Sequence, residues 1–323
     1  MKRRVLGRTG LAVSPIGFGA WAIGGNAFGN SYGSTDDAES RRAVRRAYDL
    51  GCTFFDTADV YGHGHSEEVL GAALDGIRSD VVVATKVGGN FYNRDVNPLL
   101  IPRITQTLDR PLAEVAPDAP LPVTHDACFS ASYVRFAVEQ CLRRLRTDYI
   151  DLLQLHNPTL DLIADPETYR VLDDLKGEGK IRFYGVSVHL PDEGLAAVEV
   201  TRPDTVQIAY NLVRRAAEDR CFPAARAANV GVIAREPLAN GFLTGKYRPE
   251  SIWEKGDIRG RMPRPHVEQL AALGARVTEL AREAGVTAAQ LALRFALDND
   301  AVSVVIVGMK TVAQVDENLS VET

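Results

Sequence analysis

Residues 81–87 read VVVATKV, and this stretch decides the fold. A continuous run of β-branched and small residues predicts a strand that is buried on both faces, as in parallel sheets covered by helices. The run carries Lys86 near its end, although a lysine is almost never buried unless its charge is paired. Residues 53–59 read TFFDTAD and place Asp56 directly after two phenylalanines. We expect Asp56 and Lys86 to lie at the ends of neighbouring strands.

Eight strand candidates of this kind alternate with helical stretches along the chain. They are SPIGFGA from Ser14, TFFDTAD from Thr53, VVVATKV from Val81, DYIDLLQLH from Asp148, RFYGVSVH from Arg182, TVQIAYN from Thr205, GVIAREPL from Gly231 and VSVVIVG from Val302. Strict alternation predicts an α/β fold, a closed (β/α)8 TIM barrel, with an open doubly wound sheet as the alternative. We expect residues 1–323 to form one barrel domain.

Three segments depart from the repeating strand–helix unit. Residues 3–13 (RRVLGRTGLAV) predict a β-hairpin about Thr9 and Gly10 that plugs the bottom of the barrel. Residues 89–130 are rich in proline and irregular, and residues 247–265 also lack periodicity. Both of these segments follow strands, so we expect two long loops at the C-terminal mouth, where loops of this length are commonly functional.

Composition and charge exclude several classes of protein. The chain has 37 Lys and Arg against 42 Asp and Glu, a net charge of −5, whereas a nucleic-acid-binding protein usually carries a basic face. No apolar run approaches the roughly 18 residues that a membrane span needs. The four cysteines are scattered without a C-x-x-C pair, and the N-terminus has no signal-peptide core. We therefore expect a cytoplasmic protein; the sequence predicts no oligomeric state.

The chemistry of a barrel lies at the C-terminal ends of its strands. The polar residues that end otherwise apolar strands are Asp56, Lys86, His156, Ser187 and Gln207, with Tyr61 in the loop after Asp56. Adjacent parallel strands lie about 4.8 Å apart, so an ion pair between Asp56 and Lys86 is geometrically natural. The structural alternative is a buried salt bridge with no catalytic part.

These residue types fit proton donation to a developing alkoxide. A tyrosine has an ordinary pKa of about 10, and a nearby ammonium such as that of Lys86 should lower the pKa of Tyr61 towards neutrality. His156 can donate to the carbonyl oxygen of a substrate and orient it. A carbonyl polarised in this way needs a hydride, which no side chain supplies, so the sequence predicts a nicotinamide cofactor.

Two other chemistries are less well supported. His63 and His65 form an H-x-H pair, which some barrel hydrolases use to bind a divalent metal. No further cluster of carboxylates and histidines completes such a site, so we predict no metal and interpret the pair as solvent-exposed. Ser187 lacks the G-x-S-x-G context of a serine hydrolase.

The motifs together resemble the aldo-keto reductase superfamily across nearly the whole chain. They are LGRTGLAVSPIGFGAW, FFDTADVYGHGHSEEVLG, VVVATKVG, RLRTDYIDLLQLHNP, IRFYGVSVH, VQIAYNL, PLANGFLTGKY and IVGMKTVAQVDENL, in the order of the family. The resemblance implies a barrel that binds NADPH or NADP across its mouth, without a Rossmann domain. It also implies a catalytic tetrad of Asp56, Tyr61, Lys86 and His156.

The same resemblance implies a set of cofactor-binding residues. Besides Asp56, they are Gly19, Ala20, Trp21, Ser187, Gln207, Tyr210, Arg235, Glu236, Pro237, Leu238, Gly241, Leu243, Gly245, Lys246, Gly308, Met309, Lys310, Thr311, Gln314, Glu317 and Asn318. Trp21, Tyr61 and His156 are also expected to touch the substrate. Val188 stands where the family often has asparagine, and Lys310 is expected to meet the 2′-phosphate of the cofactor as a point charge.

The leading hypothesis is an NADPH-dependent enzyme that reduces an aldehyde or ketone, with Tyr61 as the general acid. The resemblance implies a sugar or a secondary-metabolite carbonyl as the substrate, because the family includes enzymes that reduce simple aldehydes, sugars and keto-sugars. The two long mouth loops are expected to shape the pocket. A non-catalytic nicotinamide-binding regulatory subunit and a metal-dependent barrel hydrolase using His63, His65 and His156 are the alternatives.

Overall fold

A computed structural model describes residues 2–27, 31–89, 92, 112–118 and 128–321. Eight parallel strands close into a barrel, so the predicted (β/α)8 fold is confirmed and the open sheet is wrong. In the order in which they follow round the barrel, the strands are β3 (Ile16–Gly19), β4 (Phe54–Asp56), β5 (Val82–Val87), β6 (Ile150–His156), β7 (Ile181–Val188), β8 (Thr205–Ala209), β9 (Gly231–Arg235) and β10 (Val302–Gly308). The ring closes where β10 pairs with β3, through Val305 and Ile16 and the three residues that follow each.

Helices follow the strands and pack around the barrel. In the parts of the chain that the structure describes, they are α1 (Asp37–Asp49), α2 (His65–Ala73), α3 (Leu112–Val115), α4 (Ala131–Leu145), α5 (Leu160–Ala164), α6 (Pro166–Gly177), α7 (Pro191–Val200), α8 (Cys221–Ala227), α9 (Arg264–Glu283), α10 (Ala288–Leu297) and α11 (Val312–Leu319). Side-chain caps start several of them: Asp36 accepts from the amide of Ala38, and Thr287 accepts from the amide of Gln290.

Alternation along each strand sorts the side chains between the barrel interior and the helices. On β5, Val82 and Ala84 belong to the apolar cluster that fills the lower barrel, and Lys86 continues the same face. On β4, Phe54 occupies that lower cluster and Asp56 lies two residues further on. On these two strands the interior row therefore begins apolar and becomes polar towards the C-terminal end.

The predicted N-terminal hairpin is confirmed. Strands β1 (Arg4–Val5) and β2 (Ala12–Val13) pair antiparallel, and Val13 of β2 and Leu6, which follows β1, join the apolar cluster of the lower barrel. The turn approaches the barrel so closely that a Cβ atom on Gly7 would lie 2.2 Å from the backbone nitrogen of Gly231. The hairpin therefore closes the bottom of the barrel.

The two predicted mouth loops are described to different extents. Of the 89–130 segment, residues 90–91, 93–111 and 119–127 lie outside the described residues. The 247–265 segment contains a 3-10 helix over Ile258–Arg261 and ends as α9 begins at Arg264. No helix among residues 2–27, 31–89, 112–118 and 128–321 combines the length and the hydropathy that a membrane crossing requires.

Candidate active site

A cavity of about 1130 Å³ opens at the C-terminal ends of the barrel strands. Its wall includes the final residues of several strands, among them Asp56, His156 and Arg235, together with Tyr61 from the loop after β4. Lys86 is 0% exposed and lies behind Asp56 and Tyr61. The structure thus brings the four predicted catalytic residues to one end of the barrel.

The Lys86 ammonium is held by three acceptors. Its Nζ lies 2.5 Å from Oδ1 of Asp56 and 2.8 Å from the carbonyl oxygen of Thr57. It also donates to the Tyr61 hydroxyl at 3.3 Å. Because an ammonium has three donor hydrogens, these contacts satisfy it fully. The bond to Tyr61 also occupies an acceptor position on the phenol oxygen, which leaves the phenolic proton free to point into the cavity.

Two glutamines hold the second oxygen of the Asp56 carboxylate. Nε2 of Gln207 lies 2.7 Å from Oδ2 of Asp56, and Nε2 of Gln154 lies 3.2 Å from the same oxygen. The two amides also bond each other at 3.2 Å. Gln154 was not among the predicted site residues, because it lies inside β6 rather than at its end. Its position two residues before His156, on the same strand face, was the available signal.

Aromatic contacts fix the Tyr61 ring. Trp21 stacks on it with centroids 5.7 Å apart and planes 18° apart, and His156 meets it edge-on at 5.9 Å. The Lys86 ammonium lies 5.0 Å from the centre of the same ring. Tyr61 and His156 therefore face a common space in which one carbonyl oxygen can accept from both.

The acid–base properties of the site correct one prediction. Burial raises the pKa of Tyr61 above 10 and outweighs the lowering by the Lys86 ammonium, so the expected shift towards neutrality is wrong for this structure. Burial, together with the positive charges of Lys86 and Arg235, holds the pKa of His156 well below 6.5. Burial alone would lower the pKa of Lys86, but Asp56 and Tyr61 raise it above its ordinary value. The site at neutral pH therefore contains a phenol, a neutral imidazole and an ammonium.

The start of α2 ties the Tyr61 loop to the neighbouring strand ends. Ser66 Oγ donates to the carbonyl of Ala20 at 2.7 Å and lies 2.9 Å from the Thr57 hydroxyl, and its backbone amide donates to the carbonyl of Tyr61. The buried carboxylate of Glu67 accepts from Thr85, next to Lys86, at 2.6 Å. Three strand ends are thereby held in register around the site.

The His63 and His65 pair does not form a metal site in the structure. Nε2 of His65 lies 3.0 Å from Asp37 and its Nδ1 lies 3.0 Å from the carbonyl of Gly24. The His65 side chain is 21% exposed and His63 is half-buried, so the predicted solvent exposure of this pair is wrong. No cluster of three metal-ligating residues occurs in the described ranges.

Most residues that the resemblance implied for cofactor binding line the cavity. They are Gly19, Ala20, Trp21, Asp56, Ser187, Gln207, Arg235, Glu236, Pro237, Leu238, Gly241, Lys246, Gly308, Lys310, Gln314, Glu317 and Asn318. The Ser187 hydroxyl lies 3.4 Å from Oε1 of Gln207. The Lys310 ammonium donates to the backbone carbonyls of Tyr32 and Ser34 at 3.1 and 3.0 Å, so in this structure it holds a neighbouring loop.

Five residues of that set do not line the cavity. Leu243 and Met309 are fully buried in apolar clusters, and the Tyr210 hydroxyl bonds Glu218 and Asn299 behind the wall. Thr311 caps α11, and Gly245 packs against α9. These five residues lie behind the cavity wall, and their cofactor contacts stay a prediction.

The predicted 247–265 mouth loop forms part of the cavity wall, although the individual side chains were not predicted. The Arg259 guanidinium lies 4.6 Å from the ring centres of both Tyr247 and Trp253, which contact each other edge-on, and Asp257 accepts from its Nε and Nη2. Tyr32 lies 5.0 Å from the same guanidinium. Further lining residues outside the predicted set are Val60, His63, Asn157, His189, Asn240 and Glu254. Within the cluster around Arg259 only Tyr32 comes from a distant segment, because the other members all belong to residues 247–265.

Comparisons with known proteins agree with this geometry. The chain is 32% identical to L-galactose dehydrogenase of Arabidopsis thaliana over 99% of its own length and 88% of that protein. The glycerol dehydrogenase AKR11B4 from Gluconobacter oxydans has a similar structure, with a TM-score of 0.75 and 31% identity over 97% of this chain and 88% of that one. An aldo-keto reductase from Klebsiella pneumoniae, solved in complex with NADPH, gives a TM-score of 0.68 and 25% identity over 99% and 89%. The model of the aldo/keto reductase family matches residues 15–323, and the chain belongs to that family.

Proposed function

We propose that this protein reduces an aldehyde or ketone to an alcohol with NADPH, and that Tyr61 is the general acid. The observation that carries the proposal is the hydrogen bond from Nζ of Lys86 to the Tyr61 hydroxyl, 3.3 Å long, in a site where Asp56 fixes the ammonium. This bond occupies the phenol oxygen as an acceptor and directs its proton towards the cavity.

The residues of the cavity fit a dinucleotide. A volume of about 1130 Å³ exceeds that of most small-molecule pockets, and the wall extends from Tyr61 and His156 to Lys310 and Gln314. Ser187 and Gln207 supply polar atoms next to the tetrad, and Lys246 supplies positive charge for phosphate. A reduced nicotinamide cofactor supplies a hydride when it is bound. The NADPH complex of the relative from Klebsiella pneumoniae supports the choice of cofactor.

The side chains of the tetrad then have separate tasks. Tyr61 gives its proton to the carbonyl oxygen as negative charge develops there. His156, kept neutral by its surroundings, donates a hydrogen bond to the same oxygen and orients it. Lys86 stabilises the phenolate that remains, and Asp56 with its two glutamines keeps the ammonium in place.

The substrate proposal is a small hydroxylated carbonyl compound, such as an open-chain sugar. Around Tyr61 and His156, the wall carries the polar side chains of Asn157, His63 and His189. Two relatives are named as dehydrogenases of L-galactose, a sugar, and of glycerol, a polyol whose oxidation gives a small hydroxylated carbonyl compound. Hydrogen-bonding groups in a pocket reject analogues that lack the matching hydroxyl, so polar walls favour such substrates.

The direct test is oxidation of NADPH by the purified protein with a panel of aldehydes, ketones and aldose sugars, and the reverse reaction with the matching alcohols. Turnover of at least one carbonyl is expected, with hydroxylated aldehydes ahead of apolar ones of equal size. Tight binding of NADPH without turnover of any panel member would favour a regulatory subunit instead. Hydrolytic activity abolished by a chelator would favour the metal-dependent alternative.

A further inference from the structure

A second cation besides Lys86 lines the wall of the active-site cavity. Arg235 is the last residue of β9, two positions after Ile233, which belongs to the apolar cluster of the lower barrel. Strand alternation therefore turns Arg235 towards the barrel mouth, and it lines the cavity with Tyr61 and His156. Its side chain is only 14% exposed.

Hydrogen bonds fix the Arg235 guanidinium across the mouth of the barrel. Its NH2 group donates to the carbonyl oxygen of Val188 at 3.1 Å and lies 3.1 Å from Nδ1 of His189. Val188 ends β7, and β8 lies between β7 and β9 in the barrel. The guanidinium therefore reaches over the end of β8, close to where Ser187 and Gln207 project into the cavity.

The positive charge of Arg235 acts on the reacting groups. The guanidinium contributes to lowering the pKa of His156 and opposes the rise in the pKa of Tyr61. Glu236 is paired with Arg235 and lines the same cavity, so its charge offsets part of that of the guanidinium. The space between Tyr61 and His156 therefore experiences Arg235 as a positive charge.

We infer that Arg235 determines which redox state of the cofactor the site prefers: it favours the reduced nicotinamide over the oxidised one. A nicotinamide ring is neutral when reduced and positively charged when oxidised. Any hydride donor that serves Tyr61 and His156 must place this ring in the space that Arg235 faces, so only the oxidised ring meets a like charge. The inference rests on the proposed function.

The test is calorimetric titration of the intact protein with NADPH and with NADP⁺, without substrate, to give the ratio of the two dissociation constants. Arg235→Gln removes the charge but keeps donor groups, and it should lower the ratio of Kd for NADP⁺ to Kd for NADPH roughly fivefold or more. Arg235→Lys keeps the charge and should stay within about twofold of the wild type. Arg214→Gln is the matched control, because Arg214 is exposed, also contacts Glu236 and does not line the cavity. Its ratio of dissociation constants should likewise stay within about twofold of the wild type.

An unchanged ratio in Arg235→Gln would overturn the inference, and so would equal losses in Arg235→Gln and Arg235→Lys. If Arg235→Gln does not fold, Glu236→Gln decides the matter: loss of the counter-charge should raise the ratio, and no rise would contradict the assignment. A wild-type protein that binds neither cofactor would instead refute the proposed function. If the wild type reduces a carbonyl but the ratio is unchanged in Arg235→Gln, the role of Arg235 is refuted and the proposed function stands.

Discussion

The two ends of the barrel are built from the same strands and have opposite chemistry. At the N-terminal end, Phe54, Val82 and Leu152 fill the interior, and the hairpin places Leu6 beneath them. At the C-terminal end, the interior positions of the same three strands are taken by Asp56, Lys86 and Gln154. The alternation of side chains along each strand therefore places stabilising apolar residues at one end and the polar residues of the candidate active site at the other.

The two ends also differ in what burial does to stability. Burial of apolar side chains at the lower end stabilises the fold at about 25 cal/mol per Å² of surface removed from water. At the upper end, burial of Asp56 and Lys86 carries a desolvation penalty, which only the contacts between the charged groups and their partners offset. Substitutions at the two ends should therefore separate effects on stability from effects on turnover.

The largest expected effect is that of Lys86→Met at the upper end, which should impair both properties. Turnover should fall at least about a hundredfold, because Tyr61 loses the ammonium that stabilises its phenolate. The free energy of unfolding should fall by about 3–5 kcal/mol, because Asp56 remains buried without its partner. Steady-state kinetics and urea denaturation measure the two effects.

A double variant, Asp56→Asn with Lys86→Met, separates them. It removes both charges and should recover most of the stability while turnover stays low. Turnover restored along with stability would show that the ion pair has only a structural role.

A smaller effect, confined to stability, is expected for Gly7→Ala at the lower end. Gly7 has φ +50°, and the added Cβ would lie 2.2 Å from the nitrogen of Gly231, so unfolding should become easier by about 1–3 kcal/mol. Gly10→Ala is the matched control: its φ is +68° but nothing lies within 4 Å, so it isolates the backbone cost, about 1 kcal/mol. kcat should stay within about twofold of the wild type in both variants, and a large fall in kcat would mean that the two ends are coupled.

The smallest expected effect is that of pH on reduction. His156 stays neutral because its pKa lies well below 6.5, and Tyr61 stays protonated because its pKa lies above 10. Protonation of His156 would slow the reaction only at low pH, and ionisation of Tyr61 only at high pH. kcat/KM for the carbonyl should therefore be flat between roughly pH 7 and pH 9. A decline centred near pH 7 would instead support the lowered tyrosine pKa that the sequence suggested.

Sequence alone predicted the fold and the meeting of Asp56, Lys86, Tyr61 and His156, because strand alternation and strand ends are local patterns. It missed Gln154, which lies inside a strand and becomes significant only when the barrel closes around Asp56. It also misjudged the pKa of Tyr61, since burial depends on the whole mouth rather than on one neighbouring ammonium.

Of the residues that the resemblance implied for cofactor binding, most line the cavity and five do not, for a related reason. A shared motif fixes a position along the chain, but the direction of a side chain depends on its local packing. Tyr210 and Met309 are at the expected positions and face the core instead of the cavity. Arg235 was expected among several loop residues, and only the structure distinguishes it as the cation that faces the reacting groups.

The central claim is that the phenolic proton of Tyr61 is the one delivered to the substrate. The most direct measurement is kcat for Tyr61→Phe, taken together with NADPH titration and thermal unfolding of the same preparation. We expect turnover of Tyr61→Phe to fall at least about a hundredfold, while its NADPH affinity and Tm stay close to those of the wild type. Full turnover in Tyr61→Phe would contradict it and remove Tyr61 from the reaction.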